Sequence, residues 1–116
     1  MSTTPPDLLE KLVAIIGAPH VLRAESDMAG YVSEPRDLFH GRARAVVRPG
    51  STQEVSAILR LCHETGTAIV PQGGNTGLVG GQVPDGSGRA IILSLHRMDR
   101  LRELDLASNT MIVEAG

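Results

Sequence analysis

Between Ala45 and Val70 two short apolar runs flank one well-punctuated helical pattern, which restricts the chain to an α/β arrangement. Ala45-Val46-Val47 is a run of small and β-branched residues closed by Pro49-Gly50, which predicts a short buried strand. Ser51 and Glu54 have capping-box spacing, and Val55, Ile58, Leu59 and Cys62 follow at i, i+3, i+4 and i+7. Gly66 is placed to end that helix with a positive φ. Thr67-Ala68-Ile69-Val70 then forms a second apolar run. Strand, helix and strand joined by short links make a βαβ unit, whose strands are expected to be parallel with a right-handed crossover.

The flanks are read from the same signals. Thr4 is placed to cap a first helix, with Pro5 at its first position and Asp7 three residues after the cap. Leu8, Leu9, Leu12, Val13, Ile15 and Ile16 form its apolar face, and Gly17 and Pro19 end it. Residues 20–43 carry no clear period and are expected to be turns and short pieces. Ala90-Ile91-Ile92-Leu93 predicts a third strand. Leu101 to Leu106 and Thr110 to Ala115 predict a hairpin turning at Ala107-Ser108-Asn109. Ending on a strand-like run, the chain is expected to be cut short, with an apolar edge strand left open to self-association.

Composition excludes several partners. With 116 residues and a net charge of −2, one soluble domain is expected, without the basic surplus that nucleic acids or anionic membranes require. Tyr31 and Phe39 are the only aromatic residues, too few for a base-stacking platform. The uncharged stretch from Thr65 to Pro84 is long enough for a membrane span, but Pro71, Gln72, Asn75 and Gln82 interrupt it, so no transmembrane segment is expected. The single Cys62 cannot form an internal disulfide, and no basic targeting region precedes the first helix, which together point to the cytoplasm. His20, His40, His63 and His96 share no metal-ligand spacing, so no metal is expected. Glu34, Asp37 and Glu114 have no spacing that makes them an acid–base pair, and no catalytic residue is named.

The segment from Pro71 to Gly81, PQGGNTGLVGG, holds five glycines in eleven residues, directly after the second strand of the βαβ unit. Glycines at this density permit positive φ and close approach of the backbone to a ligand, with N–H groups turned inward to cradle an anion. No charged side chain lies between Thr65 and Pro84, so the main chain is expected to do the neutralising. The loop has no lysine, which excludes a P-loop. Val83-Pro84-Asp85-Gly86 continues as turn, so the helix that a Rossmann fingerprint needs is missing.

This loop, with VVRPGSTQEV before it and AIILSLHRMDRL and MIVEAG after it, resembles the FAD-linked oxidase family, whose fold is that of vanillyl-alcohol oxidase and p-cresol methylhydroxylase. The resemblance is greatest to the D-lactate, glycolate and D-2-hydroxyglutarate dehydrogenase branch. It implies that residues 43–116 are the first half of such an FAD-binding domain, with residues 1–42 as a helix and irregular lead-in. It implies that Gly73, Gly74, Asn75, Thr76, Gly77, Gly80 and Gly81 bind the FAD pyrophosphate, and that Pro71, Gln72 and Leu78 shape the loop or touch the cofactor. Members that tether flavin covalently often carry His where Asn75 stands, so FAD is expected to be held non-covalently. Oxidation of a small D-2-hydroxy acid by hydride transfer to FAD is the implied activity, completed by residues outside this chain. The alternative is a stand-alone nucleotide- or anion-binding module without catalysis.

Overall fold

The computed structural model describes residues 6–116. It contains α1 (Pro6–Ile16), a 3-10 turn (Ala18–His20), β1 (Val21–Leu22), α2 (Glu25–Met28), β2 (Ala45–Val47), α3 (Thr52–Thr65), β3 (Ile69–Gln72), β4 (Ile91–Ser94), β5 (Leu101–Asp105) and β6 (Thr110–Val113). The cap expected at Thr4 and Pro5 lies outside the described residues. Among the described residues, no helix is long and apolar enough to cross a membrane.

Four strands form one sheet in the order β1-β2-β4-β3. β2 and β3 are both parallel to β4, with Val46 and Val70 each opposite Ile92. The two strands of the βαβ unit therefore run in the same direction, but β4 is inserted between them. That leaves β3 at the edge, where Pro71 is tolerated because its missing N–H interrupts no ladder on the open side. Val21–Leu22 pairs antiparallel with β2, a strand not expected within residues 20–43 because two residues leave no readable period.

Side-chain alternation builds two small cores. Ala45, Val47, Ile91 and Leu93 face one way, into a cluster with Leu8, Leu12 and Ile16 of α1 and Ile58, Leu61 and Cys62 of α3. Val46 and Ile92 face the other way and meet Met28, Tyr31 and Val32. α1 and α3 thus cover one face, while residues 28–32 cover part of the other. Burial pushes the Cys62 thiol above its ordinary pKa, as expected of a cysteine acting as a small hydrophobe.

The helix ends obey local rules. Ser51 Oγ accepts from Glu54 N at 3.2 Å, while Glu54 Oε1 accepts from Gly50 N at 2.7 Å, one residue earlier than in a standard box. Gly66 closes α3 at φ 68°. The β5–β6 hairpin forms as expected, but as a separate two-stranded sheet rather than an extension of the main one. Leu101, Leu104, Leu106, Met111, Ile112 and Val113 on it are all more than half exposed.

Gly41 packs directly on the turn that leads out of the glycine loop. A Cβ there would lie 1.9 Å from Pro84 O, whereas one on Gly86 would meet nothing within 4 Å. Gly41→Ala should therefore cost about 1–3 kcal/mol, the usual penalty of overpacking, with Gly86→Ala near neutral. Thermal or urea unfolding of both variants checks this, and equal stabilities would show that residues 41 and 84 are not in contact.

Candidate functional site

The parallel strands β2, β4 and β3 end side by side, and the residues at and just beyond their carboxyl ends come together. Arg48 stands directly after β2, Ser94 ends β4 with His96 just beyond it, and Gln72-Gly73-Gly74 leads out of β3. With Gly30, Tyr31 and Asn75 they line a cleft of about 250 Å³. Ligands in open parallel sheets bind in this position, outside the carboxyl ends of the strands.

Gln72 sets where the loop begins. Its side chain is buried, and Nε2 donates to Tyr31 O at 2.8 Å and Gln82 O at 3.0 Å. One amide thus ties the loop's first residue to its return and to the segment beside it. Asn75, at φ 61°, donates through Nδ2 to Ser33 O at 2.7 Å and Gly30 O at 3.3 Å. Gln82 Nε2 donates to Gly77 O at 2.9 Å. Side chains therefore hold the loop through its carbonyls and its neighbours, leaving the N–H groups of its inner part free. Among the described residues, the N–H groups of Gly73, Gly74, Asn75, Thr76 and Gly77 donate to no protein acceptor.

The glycines serve different purposes than expected. Only Gly80, at φ 84°, uses positive φ, and a Cβ there would also lie 2.8 Å from the Phe39 ring. Gly77 leaves room for the Gln82 amide, 2.8 Å from where its Cβ would stand. A Cβ on Gly74 would meet only Thr76 Cγ2 at 4.0 Å, and one on Gly73 only Ala115 O at 3.4 Å. The fold itself thus leaves open space at Gly73 and Gly74, and both face the cleft. A bound group that approaches the backbone closely fits this arrangement.

Of the ten loop positions, the cleft gathers Gln72, Gly73, Gly74 and Asn75. Pro71, Thr76, Gly77, Leu78, Gly80 and Gly81 do not line it, and Leu78 is 60% exposed on the outward arm of the loop. Arg48, Ser94 and His96 were not among the expected site residues. The available signal was position: each lies at or just beyond the end of a predicted parallel strand. Arg48 brings to the cleft lining a cation that the glycine loop itself does not carry. Its Nη2 donates to Pro19 O at 2.9 Å, and its Nε is buried without a partner. Arg97 lies beside it, donating from Nη1 to Arg48 O at 2.7 Å. Burial first, then the charges of Arg97 and Arg48, hold His20 below its ordinary pKa despite nearby Glu54. Arg97 in turn lies 3.8 Å from Glu54 Oε1, so its charge is partly offset.

Glu34 has a structural role. Its carboxylate accepts the N–H groups of Arg36 at 2.9 Å, Phe39 at 3.0 Å and Leu38. Burial alone would raise its pKa, but these three donors and the Arg36 charge outweigh that and hold it below the ordinary glutamate value. Glu114 has a structural partner as well, Arg102 at 3.0 Å.

Residues 43–116 match the family model described as an FAD binding domain. The D-2-hydroxyglutarate–pyruvate transhydrogenase of Saccharomyces cerevisiae is 36% identical over 94 residues, covering 81% of this chain and 18% of that protein. The mitochondrial D-2-hydroxyglutarate dehydrogenase of Arabidopsis thaliana is 34% identical over 102 residues, covering 88% of this chain and 18% of the relative. The chain thus spans about a fifth of the length of these relatives. The crystal structure of p-cresol methylhydroxylase with substrate bound superposes with a TM-score of 0.76 over 96% of this chain and 22% of that one, at 20% identity. The expected α/β fold is therefore the fold found, and the chain belongs to the FAD binding domain family.

Proposed function

We propose that the cleft takes the pyrophosphate of non-covalently held FAD, and that the chain supplies this part of a flavin dehydrogenase acting on a D-2-hydroxy acid. The observation that carries the proposal is the set of free main-chain N–H groups at Gly73, Gly74 and Asn75, which line the cleft together with Arg48 at the ends of three parallel strands. Gly73 and Gly74 admit the ligand to the backbone, Arg48 adds charge, and Gln72 and Asn75 hold the loop in place. Thr76, Gly77, Leu78, Gly80 and Gly81 complete its outer arm, and Pro71 its entry. Asn75 offers an amide rather than an imidazole, which supports non-covalent retention.

The hydroxy-acid substrate rests on the names of the relatives, with lactate, glycolate and 2-hydroxyglutarate as the candidates. Bound here, FAD would supply a hydride acceptor. No residue of this chain is assigned as the base. On this reading residues 43–116 form the first half of the FAD-binding domain, and 1–42 lead into it. The lone unpaired Cys62 supports a reducing compartment, for which we propose the cytoplasm; the Arabidopsis relative makes the mitochondrion the competing reading. The exposed apolar hairpin supports self-association through its edge.

Titration with FAD, ADP and inorganic phosphate separates the proposed role from that of a general anion-binding module. FAD binding with a flavin spectrum, tighter than ADP, is expected; ADP binding as tightly as FAD would favour the module. Gly74→Val in the complete gene product should abolish flavin retention with little change in melting temperature, because Gly74 lines the cleft and a Cβ there meets only Thr76 Cγ2, at 4.0 Å. A variant purified with stoichiometric FAD would remove the loop from the site. For the hairpin, sedimentation velocity of the 116-residue chain should show a concentration-dependent dimer or larger species, and a monomer at every concentration would refute association.

A further inference from the structure

Residues 30–42 and 72–85 run side by side in the same direction and touch at successive steps. Gln72 reaches Tyr31, and Asn75 reaches Gly30 and Ser33. Further along, Arg36 Nη2 donates to Leu78 O at 2.6 Å, and the Phe39 ring occupies the space beside Gly80. The pairing ends where Arg42 N donates to Asp85 O at 2.9 Å and Gly41 packs on Pro84. The matched family region begins at residue 43, so residues 30–42 lie outside it and residues 72–85 inside it.

One carboxylate stands at the centre of the strip. Glu34 is only 3% exposed, and a charge is buried at such cost only when its oxygens are fully taken up. They accept the N–H groups of Arg36, Leu38 and Phe39, closing a turn in which Asp37 stands at φ 60° and its N–H returns to Glu34 O at 2.8 Å. Arg36 and Phe39, whose N–H groups the carboxylate holds, are also the residues whose side chains reach the outer arm of the loop. The carboxylate thereby fixes the directions from which Arg36 meets Leu78 O and Phe39 meets Gly80.

We propose that Glu34 is a positioning residue for FAD binding, acting through Arg36 and Phe39 to hold the outer arm of the glycine loop in its binding conformation. Glycine-rich backbone is costly to order, and a loop ordered before the ligand arrives binds more tightly than one that must be ordered on binding. Gln72 and Asn75 fix the inner part of the loop; beyond Thr76 the Glu34 turn acts together with the Gln82–Gly77 hydrogen bond. The proposal rests on the loop being the FAD site.

The test is the FAD dissociation constant of the folded, flavin-free complete gene product, read by flavin fluorescence and paired with its melting temperature. Wild type, Glu34→Gln, Arg36→Ala, the double variant and Gly74→Val are compared. Glu34→Gln keeps the volume but removes the charge and turns one acceptor into a donor facing N–H groups. Glu34→Gln and Arg36→Ala should each weaken FAD binding by about tenfold or more. The double variant should bind no more weakly than Glu34→Gln alone, because both changes act along one path. A lowered melting temperature with an unchanged dissociation constant would mean a merely structural carboxylate and would overturn the proposal. The Arg36 side chain is 47% exposed, so Arg36→Ala decides the matter should Glu34→Gln fail to fold: unchanged affinity there overturns it too. If Gly74→Val binds FAD as wild type does, the FAD site and the positioning role fall together. If Gly74→Val loses FAD while the other variants keep it, the positioning role alone falls.

Discussion

The candidate site depends on one buried amide. Gln72 ends the edge strand β3, and its Nε2 donates to Tyr31 O and Gln82 O at once. An amide this deep is costly unless its donors are paired. Three segments must therefore meet at one point: the end of β3, the return of the glycine loop, and the strip that covers the face opposite the helices. Once they meet, Gly73 and Gly74 lie beside Arg48 and Ser94, and the cleft results from sheet order. A strand order with β2 directly against β3 would leave no room between them for the end of β4.

The glycine loop shows how one residue type meets several demands. Gly80 is needed for backbone conformation and for space beside Phe39, and Gly77 for space beside the Gln82 amide. Gly73 and Gly74 answer to neither demand, for they adopt ordinary φ and leave open room toward the cleft. The remaining left-handed position belongs to Asn75, whose side chain is drawn into the protein by Gly30 and Ser33. A uniform account of the glycines by positive φ would have missed this division.

Much of the frame is legible in the sequence because its signals are local. The Ser51 cap, Gly66 and the apolar period of α3 act within a few residues of one another, and the βαβ unit is implied by them. The insertion of β4 between β2 and β3 is not legible, since apolar runs state that a strand is buried but not which neighbours it takes. β1 escapes because two residues carry no period. The 30–42 strip escapes for a different reason. The acceptors that join it to the loop are main-chain carbonyls, those of Gly30, Tyr31 and Ser33 in the strip and of Leu78 in the loop, which every residue type carries, so composition holds no trace of the pairing. Sequence spacing gives Glu34 no acid–base partner, whereas in the fold it takes up three backbone donors. Arg48 is visible only by position, as a cation placed directly after a predicted parallel strand.

The most direct test of the account is a crystal structure of the complete gene product grown with FAD. The account predicts pyrophosphate density within hydrogen-bond distance of the N–H groups of Gly73, Gly74 and Asn75, at the ends of β2, β4 and β3, with Arg48 beside it. Pyrophosphate bound elsewhere on the protein, with those N–H groups facing solvent, would contradict it.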